Sequence, residues 1–173
     1  LPYGPVASQF AALYPFVPFV GLLRPRPRFC PPSAGRPNGV SVRIATRYNR
    51  PTISFQRERI RGLIEDRFAT GRIGRRAYHR ELVRSRVILS PFGWGEYAMR
   101  DYEAFVAGGV LLKPDMAHLK TFPDLYSAGE TMIAHRWDLE DLNDKLAAIL
   151  ESYDAHLAVA EAGQARYRFH VTT

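Results

Sequence analysis

The sequence predicts an α/β fold, a parallel sheet covered by helices, and three observations predict it. Val87-Ile88-Leu89 is a short, wholly apolar run, the pattern of a strand buried on both faces. Residues 96–107 then change to a helical period, with Ala98, Met99, Tyr102, Phe105 and Val106 along one broad stripe. Gly108-Gly109 stops that helix, and Val110-Leu111-Leu112 resumes as a second apolar strand. Strand, helix and strand in this order make a βαβ unit, whose crossover is expected to be right-handed.

The remaining elements follow from the same signals. Residues 1–38 are crowded with prolines from Pro2 to Pro37, which oppose regular helix and central strand. They read as a poorly ordered linker or the remnant of a preceding domain, and the opening at Leu1 reads as that of a fragment or trimmed product. The apolar run from Phe10 to Leu23 is shorter than the ~20 residues a membrane helix needs and contains Pro15 and Pro18. No basic stretch precedes it, so it makes a poor signal peptide.

A single domain is expected over 39–173. Val40 to Ala45 alternates as a strand does. Arg47 to Pro51 is turn-like, and Ser54 can cap a helix over 55–68 that turns Ile60, Leu63, Ile64 and Phe68 to one side. A short helix over 77–85 leads into the central strand, and 131–134 is a further short strand. Asp138 or Asp141 can cap a helix with Leu142, Leu146, Ile149 and Leu150 on one face, and Trp137 before it can act as a hydrophobic staple. A last helix is expected over 153–167.

Composition limits the function. With 46% hydrophobic and 24% charged residues, the 173-residue chain has the make-up of a soluble globular domain. A single cysteine, Cys30, excludes an internal disulfide framework and a cysteine-rich zinc site. The net charge of +7 comes from arginines crowded between Arg24 and Arg86, which can face nucleic acid, anionic lipid or a phosphorylated ligand. That stretch lacks interleaved aromatics and any helix-turn-helix or zinc-finger spacing, so no nucleic-acid partner is expected. His79 reads as a surface residue. Asp115 and His118 form only a potential pair, too few for a metal site.

Glu96, Arg100 and Glu103 fall at i, i+4 and i+7, on one side of the expected helix over roughly 10 Å. They form either a solvated face with an ion pair or the wall of a site. At the carboxyl edge of a parallel sheet, the helix N-terminus would face an anion, Arg100 would pair with phosphate and a carboxylate would accept sugar hydroxyls.

The words Tyr78, Glu81-Leu82, Ser85-Arg86, SPFGWGE, RDYEA, GGVLLKPDM and ETMIAHRWDLEDL, in this order, resemble the C-terminal half of bacterial glycosyltransferases of the GT-B architecture. The pattern is similar to the group 1, exostosin-like and protein O-glucosyltransferase-related branch, and the resemblance covers 40–170. It implies a Rossmann-like sheet that binds a nucleotide-sugar donor. Gly93 and Gly95 would take the role of the pyrophosphate-binding turn, Arg100 or Lys113 would neutralise phosphate, and Glu103 would hold ribose. Glu96, nearer the sugar, and Arg100 would be the catalytic pair. Glu96 and Glu103 stand one residue closer together than the two glutamates of many such enzymes.

The function so implied is transfer of a hexose-type sugar from a nucleotide-diphosphate sugar to an acceptor hydroxyl, in cell-surface glycan synthesis. No cofactor and no metal are implied, and the acceptor would be a glycan, a lipid-linked molecule or a protein. The protein is expected to be cytoplasmic, with peripheral contact at the inner face of an anionic membrane. As half of such an enzyme, the chain is expected to be poorly active alone. The other readings are a non-catalytic nucleotide- or anion-binding α/β module, and a basic peripheral protein.

Overall fold

The computed structural model describes residues 28–93 and 95–172. Along the chain it comprises β1 (Asn38–Ser41), α1 (Pro51–Ile64), α2 (Arg75–Arg84), β2 (Ser85–Leu89), α3 (Met99–Ala107), β3 (Val110–Pro114) and β4 (Ile133–His135). α4 (Leu142–Glu151), a 3₁₀ turn (Tyr153–His156) and α5 (Leu157–Thr172) follow. The four strands form one sheet in the order β1-β2-β3-β4, and every pair is parallel. A parallel sheet flanked by five helices is the Rossmann-like α/β fold expected.

Register explains the apolar runs. Val87 pairs with Val110, Ile88 with Leu111 and Leu89 with Leu112. Alternate residues point to opposite faces. Val87, Leu89, Val110 and Leu112 pack with Ile60 and Ile64 of α1 and Leu142, Leu146 and Ile149 of α4. Ile88 and Leu111 pack on the other face with Leu82 of α2, Phe105 of α3 and Tyr167 of α5. Both faces are covered, so the strands carry no polar alternation.

Several boundaries differ from expectation. α1 begins at Pro51, four residues early, because proline fits the first helical position, where no N–H partner is needed. Ser54 therefore lies inside the first turn, where its hydroxyl donates to the Tyr48 carbonyl and accepts the Tyr48 N–H. α1 ends at Ile64, short of Phe68. The ladder of β1 starts at Asn38, and beyond Ser41 the Ile44 N–H pairs with the Thr70 carbonyl instead. β2 begins at Ser85, directly after α2, and β4 lies at 133–135 rather than 131–134.

The expected helix from Glu96 begins at Met99, where the Asp101 carboxylate accepts the Ala98 N–H at 3.0 Å. The final helix is interrupted at 153–156 before α5 runs on to Thr172. Trp137 is 52% exposed and is no staple, since its indole N–H donates to the Asp115 carbonyl across the sheet edge. Neither aspartate caps α4 with its side chain: Asp141 stands at the N-cap position but accepts the Arg136 N–H at 2.8 Å, and Asp138 binds Arg136 and the Glu140 N–H.

Residues 1–27 of the proline-rich opening, and Trp94, lie outside the described residues. Residues 28–37 are fastened to the sheet. The Cys30 N–H donates to Val106, and Gln164 donates to the Cys30 carbonyl. Buried Arg36 donates to the carbonyls of Ala107 at 2.6 Å and Ser85 at 3.1 Å. Among the described residues no helix is long and apolar enough to cross a membrane.

Candidate functional site

A cavity of ≈ 320 Å³ opens at the carboxyl ends of the strands, between the start of α1, the turn after β2 and the segment after β4. This is the rim where open parallel sheets bind ligands. Thr52, Ile53 and Gln56 line one wall from the first turns of α1. No side chain caps this helix, whose first N–H groups give its end a partial positive charge. Phe55 and Arg59 continue the wall, with the Arg59 guanidinium 5.8 Å from the Phe55 ring centre.

Phe92 and Glu96 of the turn after β2 form the facing wall, and Trp137 and Leu139 close the third side. Trp137 is positioned by its bond to the Asp115 carbonyl at 2.8 Å and by edge-on contacts with Phe92 at 5.5 Å and His118 at 4.7 Å. His118 Nε2 lies 3.9 Å from the Glu96 carboxylate. Aromatic walls beside one cation and one carboxylate suit a flat ring attached to a charged, hydroxyl-bearing group.

The turn after β2 is held from beneath. Arg57 on α1 donates twice to the Phe92 carbonyl, at 2.9 and 2.7 Å, and once to Ala45. Burial lowers the pKa of this guanidinium from its ordinary value. On β3, Lys113 Nζ donates to the Glu96 carbonyl at 2.6 Å and lies 3.1 Å from Asp101 Oδ2. Asp101 also accepts the Ser90 hydroxyl at 2.5 Å and the Tyr126 hydroxyl at 3.0 Å. Burial lowers the pKa of Lys113 against the pull of Asp101, and burial together with Asp101 raises that of Tyr126 well above its usual value.

Of the residues expected from sequence, Glu96 lines the cavity. It precedes α3, so Glu96, Arg100 and Glu103 do not share a helix face. Arg100 donates to the carbonyls of Leu89, at 3.2 Å, and Arg43, and its Nε lies 3.3 Å from the Tyr78 hydroxyl. It thereby ties the ends of β1 and β2 to α3. Glu103 accepts the Tyr78 hydroxyl at 2.6 Å, between α2 and α3. Lys113 is fully buried beneath the turn. A Cβ on Gly93 would meet the Tyr97 carbonyl oxygen at 2.3 Å, whereas Gly95 has open space around it.

Sequence reasoning missed Arg59, Phe92 and Trp137 as cavity residues and Asp101 as the hub beneath the turn. For Asp101 a signal existed, an acidic residue three places after the helix's flanking residue. Arg59 had none, being one arginine among many. Among the described residues no group of three or more histidine, cysteine, aspartate or glutamate side chains could share a metal ion. No protein-family model matches this chain, and a search of curated proteins finds no match.

Proposed function

We propose that this chain is the donor-binding half of a glycosyltransferase and takes a nucleotide-diphosphate sugar into the cavity at the carboxyl rim of the sheet. The observation that carries this reading is the composition of that cavity. Three aromatic side chains, Phe55, Phe92 and Trp137, stand beside Arg59, Glu96 and the uncapped start of α1. An aromatic face suits a base or sugar ring, the arginine and helix N–H groups suit a diphosphate, and the carboxylate suits a ribose or sugar hydroxyl. The order of sequence words resembling GT-B enzymes supports the same donor.

In the reaction, an acceptor hydroxyl oxygen attacks the anomeric carbon and gives up its proton to a base, while the bond to the nucleoside diphosphate breaks and leaves its electron pair on the phosphate oxygen. Negative charge grows on the leaving phosphate, so a cation and N–H dipoles aimed there lower the barrier. The start of α3 is less suited to that charge, because the Asp101 carboxylate already occupies it. The start of α1 and Arg59 take that role. Glu96 is the one carboxylate among the described cavity-lining residues.

That single carboxylate also favours a second reading, a module that binds nucleotide without catalysis. Calorimetry with UDP, GDP and their sugars tests the shared step. Saturable heat that is lost in Trp137→Ala is expected, and no heat with any of these ligands would sink both readings. Transfer of sugar to an acceptor hydroxyl separates the first from the second.

A further inference from the structure

We propose that the outward face of α2 docks this protein on an anionic phospholipid surface. The inference does not depend on the transferase reading. α2 buries Leu82 and turns Tyr78 inward to Glu103, so its core-facing side is spent. Its outward side carries Arg75, Arg76, His79, Arg80, Val83 and Arg84, all exposed. Arg76, Arg80 and Arg84 follow at i, i+4 and i+8, a row of roughly 12 Å at 1.5 Å per residue. Arg72, also exposed, precedes the helix.

Nothing on the helix offsets this charge. Its one acid, Glu81, turns inward, where it binds Arg43 at 2.6 Å and accepts the Ser41 hydroxyl at 2.8 Å. Glu58 and Glu65 belong to or flank α1, which packs on the opposite face of the sheet. Among the described residues, Arg72, Arg76, Arg80 and Arg84 make no ion pair. Like charges four residues apart weaken a helix, and a surface of phosphates relieves that cost.

The same face argues for lipid over nucleic acid. Apart from its arginines it has no asparagine, glutamine, serine or threonine to read a base edge, and its one outward ring is the imidazole of His79. Val83, 39% exposed amid the arginines, suits contact with a headgroup layer. A straight row of arginines needs only a plane of phosphates. Arg72 and Arg75 stand at the cavity's end of the sheet, since the neighbouring Thr70 and Gly71 carbonyls bond to Ile44 and Arg43 beyond β1.

The test is sedimentation of the 173-residue chain with phosphatidylcholine vesicles, with and without phosphatidylglycerol, at low and high salt. Binding is expected only with phosphatidylglycerol and is expected to fall with salt. R76Q/R80Q should weaken it by roughly twenty-five-fold, about fivefold for each basic side chain. R76K/R80K should keep most of it, and R61Q/R67Q, which removes equal charge from the α1 side, should keep nearly all. Equal loss in R61Q/R67Q would reduce the effect to net charge and overturn the proposal. So would equal binding to both vesicle types, or tighter retention of duplex DNA that R76Q/R80Q abolishes.

Discussion

Lys113 Nζ lies 3.1 Å from Asp101 Oδ2, and neither side chain is exposed at all. The lysine comes from the third strand and the aspartate from the helix before it, and the same ammonium holds the Glu96 carbonyl at 2.6 Å. The turn that walls the cavity is therefore bolted to the sheet through a buried ion pair. Such a pair adds little net stability over apolar residues, but an orphaned member is costly.

Lys113→Met should lower stability by about 3–5 kcal/mol, because it leaves the Asp101 carboxylate buried without its counter-charge. D101N/K113M should cost less than the sum of its two single changes, since no lone charge remains. Urea unfolding of the four proteins measures this, and strict additivity would mean that the two groups are not coupled.

Two glycines in one turn should behave oppositely. Gly93→Ala places a methyl group 2.3 Å from the Tyr97 carbonyl oxygen, so the backbone must shift, at about 1–3 kcal/mol. Gly95→Ala meets nothing within 4 Å and should leave the melting temperature nearly unchanged. Equal melting temperatures for both variants would contradict this picture of the turn.

His135 should make the fold sensitive to acid. Burial holds its pKa below the ordinary 6.5, and Nδ1 faces the Arg136 carbonyl at 2.8 Å while Nε2 has no hydrogen-bond partner. Below pH 6.5 the unfolded chain binds a proton that the folded chain resists, so stability falls as pH drops through that value and is retained above it. His135→Asn should flatten the decline in a series of chemical denaturations between neutral and mildly acidic pH. An unchanged slope would assign the acid sensitivity elsewhere.

Arg59→Gln should weaken nucleoside diphosphate binding by about tenfold, with a much smaller effect on the nucleoside alone, since a charged donor on phosphate is what it removes. Titration followed by intrinsic tryptophan fluorescence reads both. Equal losses for the two ligands would place Arg59 against the base or ribose instead.

Glu103→Gln should cost about 1 kcal/mol through its weakened bond to Tyr78 and leave nucleotide affinity unchanged. A tenfold loss of affinity at unaltered stability would return Glu103 to the ribose role that the resemblance implies.

Much of the architecture was legible in the chain. Val87-Ile88-Leu89 and Val110-Leu111-Leu112 are strands because an apolar run between glycine breaks has few other outcomes, and both are buried. The helix starts were less legible. Ser54 is a good capping residue, yet Pro51 set the start of α1, and Glu96 looked helical until Asp101 fixed the first turn of α3 at Met99.

The site was least legible because its residues come from one helix and two loops that are separated in sequence. Glu96 could be singled out from its own neighbourhood, but Arg59 and Trp137 are far from it in sequence and close only across the rim. Arg100 and Glu103 show the converse. Their spacing fits a ligand, but in the fold their charged ends meet the carbonyls of Arg43 and Leu89 and the hydroxyl of Tyr78.

The sequence by itself determined the order of strands and helices and the apolar faces, because those depend on periods among near neighbours. Tertiary structure alone decided which charges face solvent, which are paired beneath a turn and which meet around a cavity. A charged side chain's partner is set by chain segments that arrive from elsewhere, and burial fixes what each charge costs when that partner is missing.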